Sequence, residues 1–116
     1  VMVYNTFSPM ITKNMILCLD STNIKSYNDP STIWYDLTSY SNDCQIFNAP
    51  SFNRTLYFDG ADDYCSFTYN ELFNFSDSDF TIECYFRPDS FSSFNNLTSK
   101  DTYGINFDWS MTIVND

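Results

Sequence analysis

Phe80-Thr81-Ile82-Glu83-Cys84-Tyr85-Phe86-Arg87-Pro88 is the stretch that decides the fold. Phe80, Ile82, Cys84 and Phe86 fall on one side of an extended chain, and Thr81, Glu83, Tyr85 and Arg87 on the other. Successive side chains of a strand point to opposite faces, so this alternation predicts a strand with one face on a core. Pro88 has no N–H to give to a ladder and ends the run. The same period appears upstream, where Leu56 and Phe58 alternate with Thr55, Tyr57 and Asp59. Gly60 permits a reversal. Residues 64–69 then read as the returning strand of a hairpin whose connection is Gly60-Ala61-Asp62-Asp63.

Further out the pattern holds in short pieces. Residues 15–19 are a nearly continuous apolar run, as expected of a strand in an inter-sheet core. Asp20-Ser21-Thr22-Asn23 stops it, and Asn28-Asp29-Pro30 signals a turn. Residues 33–37, around Trp34, predict a short strand or an irregular buried segment, and residues 45–48 a further strand. Residues 70–79 carry Leu72 and Phe75 at a spacing of three, which suits a helical turn. Residues 97–100, 103–109 and 111–114 predict further strands. Several short strands between polar loops define an all-β class of packed antiparallel sheets. Residues 1–13 read as an arm and residues 14–116 as one domain.

Composition agrees. Twelve Phe and nine Tyr among 116 residues can fill a core. With two Gly and four Pro, the turns fall to Asn, Asp and Ser, which bond their own backbone. The net charge of −10, with five scattered Lys and Arg, argues against nucleic acid as a partner. No apolar run is long enough to span a bilayer, so no membrane partner is expected. The start, Val1-Met2-Val3-Tyr4, lacks the blocks of a signal peptide. Cys18, Cys44, Cys65 and Cys84 form no CxxC, and there is no His. Cys18 and Cys84 sit inside apolar patterns, where a thiol acts as a small hydrophobe. Four reduced cysteines and a reducing compartment during folding are expected.

Four words now stand in order: Ile16-Leu17-Cys18-Leu19-Asp20; Trp34-Tyr35-Asp36-Leu37; Phe58-Asp59-Gly60-Ala61-Asp62-Asp63-Tyr64; and Phe80 to Pro88. Their order resembles the laminin-G-like branch of the concanavalin A-like lectin/glucanase superfamily, over residues 14–107. Tyr85 stands where that family usually has Trp, Asp43-Cys44 where it often has glycines, and Cys65 and Cys84 where it has Val and Ala. The resemblance implies a jelly-roll sandwich of two antiparallel sheets. Family domains run longer, so the chain resembles the first half to two-thirds of one, and the sandwich is expected to be incomplete. Open edges of that kind need cover from another chain. Domains with this opening look like those of tailed-phage structural proteins: capsid decorations, fibres and tail appendages. The implied partners are other virion proteins, copies of this chain, or a surface glycan, and the implied location is the virion, with the extracellular space or cell surface as the alternative.

The residues carry little that could react. The enzymes of the superfamily need Glu-x-Asp-x-x-Glu on one strand, with carboxylates flanking the scissile bond. Glu71 and Glu83 are the two Glu here, and neither begins that motif. Without His, imidazole activation of a nucleophile is excluded within the chain. A non-catalytic protein is therefore expected, with a carbohydrate-binding module as the alternative and a glycoside hydrolase fragment behind it. Asp59, Asp62 and Asp63 surround the Gly turn and are the candidate metal ligands, with Ca2+ the candidate cofactor because it takes several oxygens. The competing reading makes them caps of a solvated turn, and it is the default because no EF-hand spacing is present. Asp62, Asp63, Tyr64 and Trp109 are the candidate ligand-binding set, aromatic rings being suited to stacking on sugars.

Overall fold

Asn, Asp and Ser do build the turns. Asn14 and Asn48 take positive φ values of 62° and 64°, and Gly60 takes 75° at the acidic reversal. The computed structural model describes residues 13–68, 70–75, 78–90, 94–102 and 106–114. The predicted arm over residues 1–13 lies outside them apart from Lys13. The protein is all-β, and among the described residues it has one 3-10 turn, at Glu71–Phe73. Among the described residues no helix is long and apolar enough to cross a membrane. The chain divides into two units between Asn70 and Glu71.

Among its described residues the first unit holds five strands: β1 (Ile33–Trp34), β2 (Cys44–Phe47), β3 (Ser51–Phe52), β4 (Leu56–Tyr57) and β5 (Tyr64–Phe67). One antiparallel sheet has the order β1-β2-β5, and β3-β4 is a separate hairpin. In β2, Cys44 and Ile46 are buried while Gln45 and Phe47 are exposed. In β5, Cys65 and Phe67 are half-buried while Tyr64 and Ser66 are exposed. Cys44 stands opposite Phe67 and Trp34, and Ile46 opposite Cys65, so the apolar residues share one face. Among the described residues the buried hydrophobics are Tyr27, Cys44 and Ile46.

Four strand expectations need correction. The predicted hairpin of residues 54–59 with 64–69 does not form. Phe52 pairs with Leu56 and Ser51 with Tyr57 across the short Asn53-Arg54-Thr55 turn, while β5 pairs with β2. The competing partner wins because β2 offers Cys44 and Ile46 to Cys65 and Phe67 on the buried face, and Phe47 to Tyr64 on the other. Residues 15–19 are irregular and half-buried instead of a strand. Side chains replace their ladder: Cys18 N–H donates to Asp36 Oδ1 at 2.9 Å, and Asn42 Nδ2–H donates to the Ile16 carbonyl at 2.8 Å. One backbone bond, Leu37 N–H to the Cys18 carbonyl at 2.9 Å, completes the join.

The same stitching holds the buried polar residues. Ser26 is fully buried; its hydroxyl donates to the Tyr35 carbonyl at 2.5 Å and accepts from the Asp20 amide at 3.1 Å. Asn42 Oδ1 accepts from Asn70 Nδ2 at 2.6 Å. Buried polar groups of this kind cost little once every lone pair and N–H is met.

The second unit contains the long hairpin β6 (Phe94–Thr102) and β7 (Asn106–Val114). These two strands replace the three predicted over residues 97–114, and Ser110 runs inside β7 instead of breaking it. Register shifts between Asn96 and Thr98 and between Lys100 and Asp101 absorb the mismatch. The helical expectation for residues 70–79 shrinks to Glu71–Phe73, followed by a stack of Phe75 on Phe80 at 4.3 Å. The last strand correction is the largest. Residues 80–88 form no strand, Cys84 and Phe86 are exposed, and Tyr85 is fully exposed at 107%. Alternation predicts which way side chains would point in a ladder; it does not supply the ladder, and no described strand pairs with this segment.

Candidate contact site at the Asp59–Tyr64 turn

The chain leaves β4 through Phe58 and reverses at Gly60 before entering β5 at Tyr64. Asp59 Oδ1 accepts from the Ala61 amide at 2.8 Å and from the Asp62 amide at 3.3 Å. Asp63 Oδ2 accepts from the Asp59 amide at 3.0 Å. Asn48 Nδ2–H, from the loop after β2, donates to the Asp62 carbonyl at 2.5 Å. The turn is thus closed by its own carboxylates and tied to the sheet by one amide side chain. The Ala61 amide, with smaller help from the other turn amides, holds the Asp59 carboxyl below its ordinary pKa against a small desolvation cost.

The structure brings together the three predicted metal ligands. One carboxylate oxygen from each of Asp59, Asp62 and Asp63 lies within 4.8 Å of the others. Ca2+ takes about six to eight oxygens. Here Asp59 Oδ1 and Asp63 Oδ2 already accept from turn amides. The observed hydrogen bonds are those of a capped turn.

Of the predicted ligand-binding set, Asp62, Asp63 and Tyr64 are contiguous at this turn. Trp109 lies in β7 of the second unit, and its side chain lies outside the described residues. The sequence reading missed Phe47. It pairs with Tyr64 across β2 and β5, and the two rings stack at 4.7 Å with 12° between planes. Tyr64 is 50% exposed and Phe47 37% exposed, so the pair presents a flat aromatic surface beside two carboxylates. The signal for Phe47 was present as an apolar residue on the polar phase of β2, the one position where that strand's alternation breaks.

A second hollow was also not foreseen. Tyr27, Asp29, Pro30, Ile46, Pro50 and Phe52 line a cleft of about 640 Å3 on the first unit. Tyr27 packs on Phe52 at 5.1 Å. Burial, then the charge and hydrogen bonding of Asp29, push the Tyr27 phenol above its ordinary pKa. Neutral at physiological pH, it serves this cleft as packing surface.

No two of the four cysteines are joined in a disulfide, and their placement differs from the expectation. Cys44 is buried, Cys18 and Cys65 are half-buried, and Cys84 is exposed rather than in a core. Cys44 and Cys65 sit diagonally across β2 and β5. Their mutual hydrogen bond, with burial behind it, keeps the Cys44 thiol protonated well above its usual range. No protein-family model, curated protein or solved structure matches this chain.

Proposed function

We propose that the chain is a non-catalytic structural protein of a virion, a capsid decoration, fibre or tail-appendage component, built on part of a concanavalin A-like jelly-roll sandwich. Its work is contact with neighbouring subunits. The resemblance of the four ordered words supplies the class. The observation that carries the contact role is incomplete burial. Among the described residues Tyr27, Cys44 and Ile46 are the buried hydrophobics, while Ile24, Tyr35, Phe47, Tyr57, Tyr64, Tyr85 and Phe86 are all exposed. Exposed apolar side chains gathered together, as in the stacked Phe47–Tyr64 pair, are where soluble proteins make contacts. Mass spectrometry of particles purified from lysates of cells carrying the gene tests this reading. A fixed copy number per particle is expected; absence from the particles contradicts it.

The stacked Phe47–Tyr64 pair beside Asp62 and Asp63 favours one second reading, a surface-glycan contact on the same module. Aromatic faces pack against sugar rings and carboxylates accept from their hydroxyls. A glycan array run with and without Ca2+ decides it. Binding that falls at least tenfold in Tyr64→Ala supports the contact; no binding under either condition removes it.

A further inference from the structure

The cleft between residues 27–32 and 48–52 of the first unit has features that contact between subunits does not require. Its volume of about 640 Å3 falls in the range of small-molecule sites, about 300–1,000 Å3. The buried Ile46 and Pro50 line it with aliphatic carbon. Tyr27 and Phe52 also line it, with ring centroids 5.1 Å apart and 53° between planes, which makes a corner of two aromatic walls instead of a flat stack. Tyr27 is 4% exposed, so the fold holds its ring in place.

The polar groups of the lining select the ligand. Among the described residues no Lys or Arg lines the cleft, so an anion finds no counter-charge there. Asp29 is the charged residue of the lining; it is exposed, and no Lys or Arg among the described residues pairs with it. A neutral hydrocarbon would cover that carboxylate without compensating it. A polyol needs several donors and acceptors, and some of the best placed are already in use. The Ser31 hydroxyl donates to the Ile33 carbonyl at 2.9 Å and accepts from the Ile33 amide at 3.0 Å. The Thr32 carbonyl accepts from the Ile46 amide and from Gln45 Nε2, and Asn48 Nδ2–H donates to the Asp62 carbonyl. A primary ammonium brings three N–H donors, each of which wants an acceptor. A quaternary ammonium brings none. Its charge is spread over methyl groups that pack on rings and aliphatic carbon, and it asks for aromatic faces and one negative charge. The Tyr27–Phe52 corner and Asp29 supply both.

We propose that this cleft binds a small quaternary ammonium cation of the choline type, with its methyl groups in the Tyr27–Phe52 corner and its charge against the Asp29 carboxylate. The net charge of −10 draws cations to the surface and repels the phosphate of a zwitterionic headgroup. The ligand is therefore the free cation and not a phosphocholine membrane surface. The inference stands apart from the virion reading, and neither depends on the other.

The test is an amide NMR titration of the full chain with choline chloride at constant ionic strength. Saturable shifts are expected at Tyr27, Ile46 and Phe52. Dimethylbutanol, the neutral carbon isostere of choline, is expected to bind at least tenfold more weakly. Asp29→Asn, at an exposed position, is expected to keep the circular dichroism spectrum, to weaken choline at least tenfold and to leave the isostere unchanged. Phe52→Leu keeps an apolar wall without the ring and is expected to weaken choline at least threefold. Tyr64→Ala, at the acidic turn, is expected to change nothing. Phosphatidylcholine vesicles are expected to leave the chain in the supernatant. Choline that does not saturate, an isostere that binds equally well, or choline binding that survives Asp29→Asn overturns the inference. So does binding lost in Tyr64→Ala, or co-sedimentation with vesicles by a chain that ignores free choline.

Discussion

The Asp36 carboxylate accepts from four donors in the first unit. Oδ1 takes the amides of Cys18 at 2.9 Å and Thr38 at 3.0 Å. Oδ2 takes the Thr38 hydroxyl at 2.6 Å and the Asn42 amide at 3.0 Å. Burial opposes its ionised form, but the Thr38 hydroxyl and then the three amides outweigh burial and hold its pKa below the ordinary value. A folded pKa lowered in this way gives stabilisation that is complete above the unfolded value, about 3.9, and lost as pH falls through the folded one. Amide exchange at Cys18 and Asn42, corrected for intrinsic rate, is predicted to accelerate on acidification through that window. In Asp36→Ala it is predicted to be about thirtyfold faster already at neutral pH, equivalent to about 2 kcal/mol of lost charged hydrogen bonds. Unchanged exchange would remove Asp36 as the organiser. Trp34 is the opposite case. Its Nε1–H is buried and meets no acceptor. Trp34→Phe deletes that unmet donor, so exchange at Cys44 and Gln45 is predicted to stay within about threefold of the parent chain.

At the scale of elements, β2 is the strand on which the first unit depends. It has β1 on one side and β5 on the other, and it contributes both Cys44 and Ile46 to the core. Ile46→Ala is predicted to speed exchange across β2 and β5 by about thirtyfold, the equivalent of about 2 kcal/mol and the low end for a buried Ile truncation. Gln45→Ala, one residue away on the exposed face, is predicted to change it less than threefold. Strands were expected over residues 45–48 and 64–69, and β2 and β5 fall within a residue or two of them; the Asp-Gly-Ala-Asp-Asp string made the turn legible. Pairing was not legible. Residues 15–19 look like a strand by apolarity, yet a carboxylate 18 residues away takes the Cys18 amide that a ladder would use. Residues 80–88 have the best alternation in the chain, yet no described strand pairs with them, since period two reports the capacity for a strand while hydrogen-bonded neighbours decide its existence. Phe47 was missed for a related reason. Its ring faces out, and its role comes from Tyr64, a cross-strand neighbour that register alone reveals.

At the scale of the whole molecule, an all-β chain with exposed aromatic side chains is what the proposed contact role would cover. Hydrophobic burial on folding is the main term opposing chain entropy, and among the described residues ten large hydrophobic side chains are exposed while three hydrophobic residues are buried. The proposed contact role implies that stability is linked to assembly. Thermal unfolding of the chain at concentrations where it sediments as a monomer, followed by near-ultraviolet circular dichroism, tests this most directly. The account predicts a broad, shallow transition that sharpens when the chain is incorporated into its assembly. A single steep cooperative transition of the isolated monomer would contradict it.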